Sequence, residues 1–152
     1  MKELNVLLNQ IESYIPYCER FNSDVSTVSV GWQLEHALLV LDSVSDTLEA
    51  SNTSDYKFIF KPIRYVIMNL KTMPRGKGKS PDRVRPINEF DEKSLQEHLK
   101  TTRSKVEKLK GLDKRKYFAH PYFGNIKLNS AIKFLGIHTK HHLKIVADII
   151  NQ

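Results

Sequence analysis

The sequence predicts an all-α protein, a four-helix bundle with one long basic crossover loop. Apolar residues recur every three or four positions in four separate segments, which is the spacing of amphipathic helices. No segment shows the strict alternation of apolar and polar residues that a half-buried strand requires. With 152 residues, of which 40% are hydrophobic, the chain suits a single domain over residues 1–152 with one core.

The first two helices are predicted over residues 2–20 and 30–50. In the first helix the apolar spacing continues to Cys18, and Pro16 is expected to kink or end the helix. In the second helix two apolar stripes indicate burial over more than half of its circumference. Three candidate residues could cap the start of the second helix: Ser26, Thr27 or Ser29.

The middle of the chain is predicted to hold short helices and the crossover. The segment from Tyr56 to Met73 is strongly apolar, and we expect a short helix on each side of Pro62, with a strand as the alternative. Prolines and glycines in residues 73–88 predict a loop without regular structure. Residues 71–86 carry six Lys or Arg and one Asp, so this loop holds most of the net charge of +7.

The last two helices are predicted from their end signals. Asp91 is expected to open the third main helix, and Gly111 is expected to end it. Residues 112–127 are expected to be irregular. The final helix is predicted to start near Asn129 or Ser130.

Three histidines form the candidate metal site of the sequence: His36, His138 and His142. His138 and His142 are four residues apart, so they lie on one face of the final helix, and His36 occupies a core-facing position of the second. A polar surface pair or satisfied core histidines are the alternative. Burying three imidazoles without partners is costly, whereas one divalent ion, zinc or nickel, satisfies all three. Three protein ligands leave coordination positions open, as in catalytic sites.

The remaining histidines are given lesser roles. His141 lies toward the edge of the buried stripe and is expected to support the site or face solvent, with direct ligation as the alternative. His98 lies among Glu97 and Lys100 and is interpreted as a solvated helix residue. His120 precedes a proline in a loop, where it is either structural or faces the site.

The composition limits the partners and the setting. The basic loop is expected to be either a solvated connection or a lid that binds anions. It has no aromatic residues for stacking on bases, so nucleic acid is not the favoured partner. A single cysteine excludes a cysteine zinc knuckle, and no apolar run approaches the roughly 20 residues of a membrane span. We therefore expect a cytoplasmic protein with no membrane partner, and a homodimer is left open.

Two helix motifs and one loop segment carry a family resemblance over about residues 5 to 150. Residues 31–36, Gly-Trp-Gln-Leu-Glu-His, are similar to an early helix motif, and residues 138–143, His-Thr-Lys-His-His-Leu, to a terminal His-x-x-His-His motif. Both motifs belong to the DinB-like superfamily. Residues 120–124, His-Pro-Tyr-Phe-Gly, resemble a segment found before the last helix in a branch of that superfamily whose function is unknown.

The resemblance implies a four-helix bundle that holds a divalent metal through His36, His138 and His142. Members of known activity are thiol-dependent transferases or isomerases that use a low-molecular-weight thiol such as bacillithiol, mycothiol or glutathione. The chain departs from these members at Ala131, where a tryptophan is expected, and after Leu143, where a Gln-Phe pair is common. Its basic loop is also longer, so the resemblance does not define the substrate.

These interpretations together predict a metal-dependent enzyme of the thiol-transferase type, acting on a small-molecule thiol and an electrophile. Catalytic residues are left unassigned. Four residues are expected near the substrate. Arg75, Lys77 and Arg83 are expected to hold carboxylates of the thiol, and His120 is expected to face the site. The alternatives are a metal-dependent hydrolase, a structural metal clamp, and a non-catalytic stress-related or nucleic-acid-associated binding module.

Overall fold

The computed structural model describes residues 1–75, 81–87 and 91–152. These residues are mostly helical and include one small two-stranded sheet. The helices are α1 (Lys2–Tyr14), α2 (Val30–Ala50), α3 (Pro62–Leu70), α4 (Glu92–Lys108) and α5 (Leu128–Asn151), and the strands are β1 (Tyr117–His120) and β2 (Gly124–Lys127). Among the described helices, none is both long and apolar enough to cross a membrane. The helical prediction is therefore correct in outline, but it did not include the sheet.

The ends of the helices follow local chemistry. Helix α1 ends at Tyr14 and continues as a single 3-10 turn that contains Pro16, as expected for a proline at this point. The Ser29 hydroxyl accepts a hydrogen bond from the backbone N–H of Trp32 and caps α2. Asp91 and Ser94 cap α4 reciprocally, each side chain bonding to the backbone N–H of the other. These side chains satisfy amide groups that the first turn of a helix leaves unpaired.

Helix α2 occupies the centre of the packing. It contacts both α4 and α5, and α1 contacts the same two helices. The interior between them is filled by fully buried aliphatic side chains, among them Leu8, Ile11, Leu34, Leu38, Leu95 and Leu135. Each such side chain contributes roughly 1.5 to 3 kcal/mol through burial. Because α2 is enclosed on several sides, a polar residue on its inner face, such as His36, is only 2% exposed.

A β-hairpin replaces the irregular structure that was predicted over residues 112–127. The two four-residue strands pair antiparallel, with Tyr117 opposite Lys127 and His120 opposite Gly124. Strands this short contain too few residues for a clear period of two, so the sequence pattern missed them. Gly124 has φ of +69°, and a Cβ atom there would lie 3.0 Å from the Cβ of Ile59. A glycine is therefore required at the point where the hairpin meets the segment before α3.

The crossover also differs from its prediction at two places. The helix expected before Pro62 does not form, because the residue before a proline disfavours helical backbone angles. Lys61 is extended, and Pro62 is the first residue of α3 instead. Within the basic loop, Asp82–Val84 forms one 3-10 turn whose Val84 side chain is buried. Residues 76–80 and 88–90 lie outside the described residues, so the loop prediction stays untested there.

Candidate metal centre

Helices α2 and α5 bring three histidines together at their contact. His36 comes from α2, and His138 and His142 come from successive turns of α5. Each offers one ring nitrogen, and these three nitrogens all lie within 4.8 Å of one another. The ring centroid of His142 lies 4.6 Å from that of His36 and 4.5 Å from that of His138. The three histidines are close enough to hold one metal ion.

Hydrogen bonds fix which nitrogen of His36 and His142 is available. The Nδ1 atom of His36 is 2.6 Å from the carbonyl oxygen of Val84, which can only accept a hydrogen bond. The Nδ1 atom of His142 is 2.6 Å from Oε1 of Gln33, whose amide nitrogen donates in turn to Ser26. Both Nδ1 atoms therefore carry the proton, and both Nε2 atoms keep a free lone pair. In metal sites, such a hydrogen bond from the second ring nitrogen ordinarily fixes the tautomer and the orientation of the histidine ring.

His138 provides an independent test of whether the residues fit an ion. Its Nδ1 atom is buried and has no hydrogen-bond partner among the described residues. A buried polar atom without a partner costs free energy, which coordination to a cation would recover. The three ring nitrogens lie within 4.8 Å of one another, so all three could bind the same ion. The donor set fits a divalent ion.

Burial keeps the three imidazoles neutral. It lowers the pKa of His36, an effect that the hydrogen bond to Val84 opposes only in part. The pKa values of His138 and His142 fall well below 6.5, first because of burial and then because of the neighbouring imidazoles. Neutral imidazole is the form that binds metal, so no proton has to be displaced from these rings at neutral pH.

A cavity of about 490 Å³ adjoins the three histidines. It is bordered by α2, α3, α5, the hairpin and the 3-10 turn at Asp82–Val84, and its walls are largely apolar. The apolar lining residues include Val40, Ile67, Met73, Phe118, Phe123 and Phe134. A concave apolar site with a few convergent polar groups is typical of small-molecule binding.

His120 lines this cavity, in agreement with the prediction that it faces the site. Its Nδ1 atom accepts hydrogen bonds from the backbone N–H groups of Tyr122 and Phe123, at 3.1 and 3.2 Å. The proton therefore sits on Nε2, which makes this ring a hydrogen-bond donor. Burial, assisted by the charge of Arg83, lowers the pKa of His120 to about 4. The ring stacks on Phe123 at a centroid distance of 4.2 Å, which fixes its orientation.

The basic residues predicted to bind the substrate lie in different places relative to the cavity. Arg83 lines the cavity. Arg75 forms an ion pair with Asp148 on α5, so its guanidinium already has one partner, and its role at a substrate stays a prediction. Lys77 lies outside the described residues. His141 lines the cavity and contacts the His142 ring edge-on at 5.2 Å, but it is not a member of the close group of three.

Trp32, which the helical spacing places one turn before His36, stacks on that ring with centroids 5.2 Å apart. Sequence reasoning missed two other residues that support the site. Gln33 lies three residues before His36, but its bond to His142 depends on how α2 meets α5. The Val84 carbonyl, 48 residues away from His36, carried no signal in the sequence.

The interpretation of His98 as a solvated residue is wrong. Its side chain is 19% exposed and lies between two carboxylates, with Nδ1 2.9 Å from Glu35 and Nε2 3.6 Å from Asp42. Burial alone would lower the pKa of this ring, but the two carboxylates outweigh that effect and raise it to about 9. His98 is therefore a charged member of an ion network between α2 and α4, which is completed by Lys105.

Replacing Gln33 by alanine is expected to weaken metal binding by about 10- to 100-fold, because His142 loses the acceptor that fixes its ring. Competition with a chromophoric chelator at neutral pH measures the affinity. Gln96→Ala, at an exposed position on α4, is the matched control and should bind metal as the unmodified protein does. An unchanged affinity in Gln33→Ala would show that this hydrogen bond does not orient the ligand.

Comparison with protein-family models, with curated proteins and with solved structures gives no match to this chain. The candidate site is therefore defined by its own geometry.

Proposed function

We propose that the chain is a metal-dependent, thiol-using transferase of the DinB-like type, with α1, α2, α4 and α5 as its four-helix bundle. The pairwise contacts of these helices and the presence of the His120 hairpin beside the site support this proposal. The observation that carries it is the convergence of three neutral imidazoles on the wall of a largely apolar cavity.

The residues of the site take separate roles under this proposal. His36, His138 and His142 hold a divalent ion, zinc or nickel, and Val84 and Gln33 keep two of the rings in place. A bound ion of this kind lowers the pKa of a coordinated thiol, so that the sulfur is a thiolate nucleophile at neutral pH.

Two further residues would position the substrates. The Nε2–H of His120 can donate a hydrogen bond into the cavity without taking up charge, because its pKa is far below neutrality. Arg83 provides a positive charge at the cavity wall for a carboxylate of the thiol. The aromatic and aliphatic side chains suit the apolar body of an electrophile.

The cavity distinguishes this proposal from its rivals. A structural clamp needs a closed ligand shell, whereas these histidines border a space large enough for a small molecule. A hydrolase could use the same three ligands to activate water, but the mostly apolar lining favours an organic thiol and electrophile. A nucleic-acid module gives no reason for burying three neutral imidazoles together.

Metal analysis of protein purified without a histidine tag, followed by a thiol-conjugation screen, tests the proposal. The metal-loaded protein should accelerate attack of a low-molecular-weight thiol on an activated aryl halide, and chelation or His142→Ala should remove that acceleration. Lys100→Gln, at an exposed position on α4, is the control and should remain active. Ester hydrolysis without thiol conjugation would favour the hydrolase, and metal that raises only the melting temperature would favour the clamp.

A further inference from the structure

Residues 57–71 present a surface of exposed apolar and basic side chains. Phe58 is 62% exposed and Leu70 is 65% exposed, although both are large apolar residues. We call this surface the α3 face, and its members are Phe58, Phe60, Ile63, Val66 and Leu70 together with Lys57, Lys61 and Lys71. Single exposed apolar side chains are ordinary, but a contiguous group of them marks an interaction site.

Helix α3 has an exposed side, which belongs to this surface, and a buried side, which packs on the core. Ile63, Val66 and Leu70 are spaced three and four residues apart, so they form one exposed stripe along the helix. Ile67 and Met68 are the buried residues of α3 and attach it to the core. The helix therefore has apolar side chains on two sides, and the stripe of Ile63, Val66 and Leu70 has no partner among the described residues.

The segment that precedes α3 is held firmly in place. The guanidinium of Arg64 donates to the carbonyl oxygen of Asn125 at 3.1 Å, and the Asn125 amide donates to the carbonyl oxygen of Lys57 at 2.8 Å. Ile59 packs closely on Gly124 of the hairpin. The backbone that carries these exposed side chains is therefore held against the hairpin.

The charge of the α3 face has one sign. Residues 57–71 contain four Lys or Arg and no Asp or Glu. Lys57, Lys61 and Lys71 are exposed, and none of them pairs with a carboxylate within the described part of the chain. Exposed aromatic and aliphatic residues beside lysines are the composition of segments that lie in the headgroup region of a membrane. There the apolar side chains reach the acyl boundary, while the lysines meet lipid phosphates.

We propose that the α3 face binds peripherally to the surface of an anionic phospholipid bilayer, which revises the expectation of no membrane partner that came from the lack of a spanning segment. A second copy of the chain is a poorer occupant, because a symmetric contact would oppose lysines to lysines with no acidic residue between them. Single-stranded nucleic acid is also poorer. The Arg64 guanidinium already covers Phe58 and Tyr65, at 5.7 and 4.9 Å from the ring centroids, and the aliphatic stripe offers nothing for bases to stack on.

The α3 face adjoins the rim of the histidine cavity. Ile63 and Tyr122 are both exposed, and both also line the cavity. Docking on a bilayer would therefore bring the cavity beside the lipid surface. The binding itself uses none of the metal ligands, so it can be tested on the metal-free protein and can fail or succeed independently of the proposed activity.

Cosedimentation with lipid vesicles tests the proposal. The full chain should bind vesicles of phosphatidylcholine mixed with phosphatidylserine, bind pure phosphatidylcholine much more weakly, and lose affinity as salt is added. The variant Lys57→Gln/Lys61→Gln/Lys71→Gln should bind about 100-fold more weakly, since each lysine near an anionic surface contributes a factor of about five. Lys100→Gln/Lys108→Gln/Lys114→Gln removes the same charge from exposed positions elsewhere and should bind nearly as well as the unmodified chain.

A second variant separates insertion from simple charge attraction. Phe58→Ser/Leu70→Ser changes two exposed side chains and should weaken vesicle binding by at least about tenfold. Unchanged binding in this variant, or equal losses in the two triple-lysine variants, would overturn the proposal. So would preferential binding of a single-stranded oligonucleotide, or a dimer that Phe58→Ser/Leu70→Ser dissociates.

Discussion

Replacing His138 or His142 by alanine is expected to reduce bound metal from about one ion per chain to almost none. Each side chain supplies one of three ring nitrogens that lie within 4.8 Å of one another, and a metal site left with two protein ligands would lose most of its affinity. Elemental analysis of untagged protein after dialysis against zinc or nickel measures the metal content. Far-UV circular dichroism of the metal-free variants establishes that both remain helical.

His141→Ala is the matched control for this experiment. It removes an imidazole from the same turn of α5, and this ring touches His142 edge-on. His141 is nevertheless outside the close group of ring nitrogens, so this variant should retain most of the metal. If His141→Ala empties the site while His138→Ala does not, the register assigned to α5 is wrong.

Replacing His98 by glutamine is expected to remove a large pH-dependent part of the stability. The pKa of His98 is raised to about 9 in the folded protein, against about 6.5 in an unfolded chain. The stabilisation is therefore complete below about pH 6.5 and is lost as the pH rises through about 9. At 1.36 kcal/mol per pKa unit, the difference between about 6.5 and about 9 corresponds to about 3.4 kcal/mol in full, of which about 2 to 3 kcal/mol is lost between pH 6.5 and pH 9.

Urea denaturation of the metal-free protein at several pH values between about 6.5 and 9 measures this effect. The free energy of unfolding of the unmodified chain should fall over that range, whereas His98→Gln should start lower and change much less. Lys100→Gln, two residues further along α4, is the control and should keep the slope of the unmodified chain. A flat profile in the unmodified chain would show that Glu35 and Asp42 do not hold a charged imidazole.

The position of the candidate ligands on their helices could be predicted from the sequence. The helical period places His138 and His142 on one face of α5, and the apolar stripe around His36 turns that residue inward on α2. The ends of the helices were also readable, because Pro16, Ser29 and Asp91 act on the backbone within a few residues of themselves.

Partners distant in the chain could not be predicted. Arg75 was expected to bind a substrate, yet Asp148 engages its guanidinium from a helix 73 residues away. His98 was expected to be solvated, yet Glu35 and Asp42 enclose it from α2. Neither contact has a local signal, because the sequence around Arg75 or His98 does not show which helix packs across it.

The sequence by itself determined where the four main helices lie, which face of each is apolar and that His36, His138 and His142 point toward the core, because these properties repeat with the period of a single helix. Only the tertiary structure decided that α2 meets α5 so that His36, His138 and His142 converge. It also decided that Val84 and Gln33 set the ring tautomers and that a cavity adjoins them. These depend on distances between elements far apart in the chain, and such distances are fixed by packing of the whole core.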